Sequence, residues 1–123
     1  MAHILIIDDS PTDVRVFTTL LERAGHQVAA VSSAEEGIER AKADLPNLVI
    51  MDVIMPGMNG FQATRTLTRD PITAKVPIVM ITTKSMETDR VWGLRQGARA
   101  FITKPVNEKE LLACINDLLP GAA

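Results

Sequence analysis

Four short, largely apolar runs in this chain each end on side chains that can do chemistry. Asp8 and Asp9 follow HILII, Asp52 follows LVIM, Thr82 and Thr83 follow VPIVMI, and Lys104 follows RAFIT. A carboxylate left unpaired in a dry interior is strongly disfavoured, so acids at such places belong where water, a cation or a reactant can reach them. Asp52 stands out as the reactive group. Leu48, Val49, Ile50 and Met51 before it are all apolar, as in a strand buried on both faces, and a Pro/Gly loop, VIMPGMNG, follows.

If the runs end side by side, Asp8, Asp9 and Asp52 repel one another, by about 4 kcal/mol per pair at about 4 Å and an effective dielectric of about 20. A hard divalent cation such as Mg²⁺ offsets this, because it prefers oxygen ligands and keeps waters and substrate phosphate in its shell. Asp9 and Asp52 are then the direct ligands. Asp8 acts through a coordinated water, and the backbone carbonyl of Ile54 completes the protein's share. A held cation turns a site that repels phosphate into one that attracts it. Asp52 can then attack phosphorus and form an aspartyl phosphate. The Lys104 ammonium and the Thr82 hydroxyl supply the positive charge and the donor that transferring phosphoryl oxygens require. Thr83 competes for the hydroxyl role, but Thr82 follows the apolar run directly.

The segments between these runs read as helices that return the chain to the same end. Ser10-Pro11-Thr12-Asp13 is a helix start, and Val14, Phe17, Leu20, Leu21 and Ala24 recur at helical spacing over 11–24 until Gly25 stops it. A weaker strand, 26–31, precedes Ser33-Ala34-Glu35-Glu36, a capping-box pattern opening a helix that ends before Pro46. Asn59 caps a third helix with Phe61, Thr64 and Leu67 on one face, broken at Asp70-Pro71. Strand 76–81 leads to a fourth helix, 85–95, with Met86, Val91 and Leu94 inward and Gly97 as its stop. Strand 99–103 leads to a last helix, capped by Asn107, with Leu111, Leu112, Ile115, Leu118 and Leu119 as its stripe. Strand and helix in strict alternation with short links require parallel strands and right-handed crossovers. The expected fold is an α/β doubly wound five-stranded parallel sheet in the order 2-1-3-4-5, with ligands between the ends of strands one and three.

Composition narrows the function further. With 123 residues and 46% hydrophobic residues, one domain with one sizeable core is expected. A net charge of -2, 3% aromatics and no Tyr give no basic field or stacking platform, so nucleic-acid binding is not expected. The start carries no basic signal region and no stretch reaches about 18 uninterrupted apolar residues, so a cytoplasmic protein without membrane insertion is expected. Cys114 is the single cysteine and reads as a small core residue. His3 and His26 lie far from the acids. Trp92, one step off the Val91 and Leu94 face, reads as a partner contact or as packing.

Taken together, DDS at 8–10, MDVIMPGMNG at 51–60, ITT at 81–83 and GARAFITKP at 97–105 resemble the receiver domains of two-component response regulators. The resemblance spans the chain. It implies a flavodoxin/CheY-like (βα)5 receiver over residues 1–123, with no output domain. Asp52 would take phosphate from a histidine kinase or phosphotransfer domain with Mg²⁺, and the domain would catalyse its own phosphorylation and dephosphorylation. It further implies that Thr82 and Phe101 are a switch pair, although Phe101 also reads as plain core. Lys104-Pro105 would be a cis bond, which proline makes accessible. A downstream protein would read the face made by the fourth helix, the last strand and the last helix. Moving such a switch from about 1:99 to about 99:1 takes about 5.5 kcal/mol, of which charge-assisted bonds to phosphate supply much. Ile54 and Lys84 vary within the family and would tune the site, Ile54 by slowing water and Lys84 by acting on the approach of the phosphodonor; Thr83 would tune it as well. More narrowly, GFQATRTLTRD at 60–70 and ITTKSMETDRVWGLRQGARAF at 81–101 are similar to stand-alone receivers of the chemosensory systems that govern type IV pili and twitching motility. Other chemotaxis-type receivers, some acting as phosphate sinks, share the core motifs.

Other readings fit the residues less well. A haloacid-dehalogenase-type phosphatase wants a second acid two residues after its nucleophile, where this chain has Ser10 or Ile54. A flavodoxin-like FMN carrier wants a hydroxyl- and Gly-rich loop after the first strand, where this chain has two acids. A receiver that only binds proteins would not need the acid, hydroxyl and lysine set.

Overall fold

The computed structural model describes residues 2–119. In chain order the elements are β1 (His3–Ile7), α1 (Pro11–Arg23), β2 (Gln27–Val31), α2 (Ala34–Asp44), β3 (Leu48–Met51), α3 (Gly60–Arg69), β4 (Ile78–Thr82), α4 (Glu87–Arg95), β5 (Ala100–Thr103) and α5 (Glu108–Leu118). The strands form one sheet in the order β2-β1-β3-β4-β5, and each neighbouring pair is parallel, as expected.

Alternation along the strands divides the interior into two layers, because successive strand side chains point to opposite faces. Ile4, Ile6, Leu48, Ile50, Val79, Ile81 and Ile102 meet Phe17 and Leu21 of α1 and Leu111 and Ile115 of α5. Leu5, Ile7, Val49, Met51, Ile78 and Met80 meet Ala34, Ile38 and Ala41 of α2 and Ala63 and Leu67 of α3. β3 is buried at every position because helices cover both its faces. Edge strand β2 is only half-buried, which explains its weak signature in the sequence.

The helix starts follow local chemistry. Ser10, Ser33, Asn59 and Asn107 each accept a hydrogen bond from the backbone N–H three residues on. At Asn59 the Gln62 side chain in turn accepts the Asn59 backbone N–H, which completes a capping box. Several boundaries differ from expectation by a residue or two. β2 starts at Gln27, β4 at Ile78 after Pro77, and β5 at Ala100, the first residues in register with a neighbouring strand.

α4 departs most from expectation. It begins at Glu87 rather than Ser85, and Met86 at its N-cap provides no side-chain bond. Met86, expected to point inward, is 67% exposed, and Val91 is also exposed. The helix rests on the sheet through Gly93, where a Cβ would lie 2.7 Å from Met80 Sδ and 3.0 Å from the Phe101 ring. The bare backbone allows this close approach, so the apolar side chains beside Gly93 turn toward solvent. On α5 only Leu111 and Ile115 are buried; Leu112, Cys114, Leu118 and Leu119 pack at that layer's margin.

Candidate functional site

Asp8, Asp52, Thr82 and Lys104 sit at or one step beyond strand ends, and backbone hydrogen bonds to the neighbouring strand fix them there. Asp8 N donates to Val31 O at 3.1 Å, Asp52 N to Ile7 O at 2.9 Å, and Lys104 N to Thr82 O at 2.7 Å. These bonds carry the sheet's ladder one rung past the strands. The side chains therefore leave a rigid edge, with little freedom to drift apart.

They converge on a single ammonium. Lys104 Nζ lies 3.0 Å from Asp8 Oδ2 and 3.4 Å from Asp52 Oδ2. Asp8 Oδ1 accepts the Ser10 N–H at 2.9 Å, and Asp52 Oδ1 accepts the Val53 N–H at 2.7 Å. Asp8 and Asp52 are 2% and 6% exposed, so water reaches this pair mainly from the side of exposed Asp9. Burial raises the Asp8 pKa; the Ser10 N–H and Lys104 oppose that rise, and the nearby Asp52 charge adds to it. For Lys104, burial works against its charge, but hydrogen bonds to Asp13 and Asp8 and the charge of Asp52 outweigh it, so its pKa lies above the ordinary lysine value. Lys104 thus already compensates part of the repulsion among the acids.

Asp8, Asp9 and Asp52 each offer a carboxylate oxygen, and these atoms lie within 4.8 Å of one another. An all-oxygen set with one solvent-facing member fits a hard divalent cation that retains waters. A glycine keeps the loop over this site close. At Gly60, the first residue of α3, a Cβ would collide with the Asp52 carbonyl oxygen and come 2.8 Å from Val53 Cα. Gly60 N instead donates to Val53 O at 2.9 Å, which ties α3 to the residue after the acid.

The remaining expected residues fall into two groups. Thr82 is fully buried at the end of β4, where its Oγ1 accepts the Lys84 N–H at 3.3 Å and keeps its own proton for another acceptor. Thr83 is exposed. The Lys104-Pro105 bond is cis, as the resemblance implied. Phe101 is half-buried on β5 against Gly93 of α4. Ile54 is 57% exposed and lines a cavity of about 350 Å³ together with Asn59, Phe61 and Lys84. Lys84 is not free over the acids: its Nζ is held 3.5 Å from Asp89 of α4.

One participant was missed in the sequence. Asp13, read there only as a first-turn acid of α1, places Oδ2 2.7 Å from Lys104 Nζ, closer than either strand-end acid. The available signal was its place one helical turn before Phe17, whose ring centroid lies 6.0 Å from the same ammonium.

Residues 4–116 match the response regulator receiver domain. The chain is 52% identical to protein PilH of Pseudomonas aeruginosa over 121 residues, covering 98% of this chain and 100% of that protein. It is 37% identical over 117 residues to response regulator PleD of Caulobacter vibrioides, covering 95% of this chain but only 26% of PleD. Among solved structures, the Vibrio cholerae chemotaxis protein CheY4 is similar with a TM-score of 0.90 at 28% identity, covering 97% of this chain and 99% of that one. A receiver domain of a sensor histidine kinase from Pseudomonas aeruginosa, which has a magnesium ion coordinated in its active site cleft, gives 0.88 at 25% identity and covers 95% and 96% of the two chains. A conjunction of strand-end acids, a buried threonine and a converging lysine, found on this sheet order and matched along nearly the whole chain, places the protein in the response regulator receiver domain family.

Proposed function

We propose that this protein is a phosphoacceptor switch in which Asp52 takes a phosphoryl group from a histidine kinase or phosphotransfer domain, with Mg²⁺ held by Asp8, Asp9 and Asp52 and the Ile54 carbonyl. The observation that carries this reading is the approach of Lys104 Nζ to both Asp8 and Asp52, at 3.0 and 3.4 Å. An Asp52 oxygen bonds to phosphorus while the phosphorus–nitrogen bond of a donor phosphohistidine breaks, its electron pair leaving with the imidazole. Lys104 and the Thr82 hydroxyl hold the phosphoryl oxygens as charge spreads over them. Bound Mg²⁺ would supply further positive charge to those oxygens.

Thr82 moving toward the phosphoryl group opens space for Phe101, and the face of α4, β5 and α5 changes its affinity for a downstream protein. Gly93 beside Phe101 supports this reading, since the helix there offers no side chain to block the ring. Exposed Ile54 slows water, and Lys84, paired with Asp89, acts on donor approach when that pair opens; Thr83 tunes the same rim. The similarity to PilH supports a place in type IV pilus and twitching control, acting in the cytoplasm beside its kinase. Incubation with acetyl phosphate and Mg²⁺, followed by intact-protein mass spectrometry, should show a phosphate-sized gain in the wild type and none in Asp52→Ala. No gain in the wild type would sink the reading.

A further inference from the structure

A lysine ammonium has three donors, and in this structure Asp13, Asp8 and Asp52 take them at 2.7, 3.0 and 3.4 Å. The shortest contact is with an acid that does not belong to the strand-end cluster. Asp13 sits in the first turn of α1, and its side chain is 34% exposed, against 10% for that of Lys104. Helix-dipole stabilisation explains an acid at this point of a helix. It does not explain why the carboxylate turns across to Lys104, or why Phe17, one turn later on the same face, borders the same ammonium.

We propose that Asp13 is a positioning residue that draws Lys104 away from Asp52 and so lowers the fraction of protein that carries phosphoryl at a given donor supply. The proposal rests on the phosphoacceptor reading above. Phosphoryl oxygens on Asp52 must share the ammonium with Asp13, and whatever the lysine gives one acid it withholds from the other. The Asp13 charge also adds to the negative field that an anionic donor meets.

Asp13→Asn removes the charge while keeping the size and one acceptor oxygen. With acetyl phosphate and Mg²⁺, this variant should reach half-phosphorylation at a donor concentration about fivefold below that of the wild type, the scale of a partly exposed ion pair. Urea unfolding of the wild type, Asp13→Asn, Lys104→Met and the double variant, without Mg²⁺ or donor, should show favourable coupling between the two positions. If the wild type accepts phosphoryl but Asp13→Asn requires the same donor concentration or more, the proposal is overturned and the phosphoacceptor reading stands. Absence of coupling also overturns it. If neither protein accepts phosphoryl, both readings fall, whatever the coupling.

Discussion

Two regions of the same sheet are built in opposite ways. At the carboxyl ends of β1 and β3, backbone bonds fix Asp8 and Asp52, a lysine from beyond β5 crosses to them, and Gly60 pins α3 onto the loop. Toward β5, α4 has no side-chain cap, touches the sheet at Gly93, and leaves Met86, Val91 and Trp92 exposed. The first region is over-determined and the second is held by little. Chemistry at phosphorus needs charges placed within fractions of an ångström, whereas a surface that must change affinity needs two arrangements of similar free energy. A rigid site beside a lightly seated helix meets both requirements of the proposed switch.

The same substitution at the two glycines measures the contrast most directly. Gly60→Ala drives a methyl into the backbone of Asp52 and Val53 and should destabilise the protein by about 3 kcal/mol, whereas Gly93→Ala presses on side-chain atoms of Met80 and Phe101, which can yield where backbone cannot, and gains helix propensity, for a smaller loss of about 1 kcal/mol. Urea unfolding of both variants checks this; equal losses would erase the contrast.

A smaller effect is expected in alkali. The fold raises the Lys104 pKa above its ordinary 10.5, so the native state holds that proton more tightly than the unfolded chain does. The resulting stabilisation is fully present below 10.5 and is lost as pH rises through the folded value. Stability should therefore fall by up to about 1.4 kcal/mol per pH unit in that window from this group. Lys104→Met should remove that part of the slope in unfolding measured from about pH 9 to about pH 11.5.

The smallest change is expected at Trp92, which is 48% exposed. Trp92→Ala should alter stability by no more than about 0.5 kcal/mol. A larger loss by the same urea assay would mean that α4 is packed more firmly than its exposed side chains indicate.

Much of this molecule was legible in the chain because local chemistry marks it. Serine and asparagine caps open four of the helices, and the unbroken apolar run before Asp52 required a strand covered on both faces. α4 was misread because its seat is a glycine, which carries no apolar signal, while Met86 and Val91 carry one and face solvent. Lys84 also pairs with Asp89, five residues on, a contact that its place in the chain did not announce. Hydropathy reports what a residue prefers; it does not report which way a helix is rolled on its neighbours.

By itself the sequence determined the alternation of strand and helix, and with it the ends at which Asp8, Asp9, Asp52, Thr82 and Lys104 must lie, because periodicity and capping act over a few residues. Only the tertiary structure decided that Lys104 bonds Asp13 more closely than Asp8 or Asp52, and that Gly93 rather than Met86 seats α4. Those outcomes turn on distances between segments about 90 residues apart or across a helix–sheet interface, where sterics and charge from several elements compete at once.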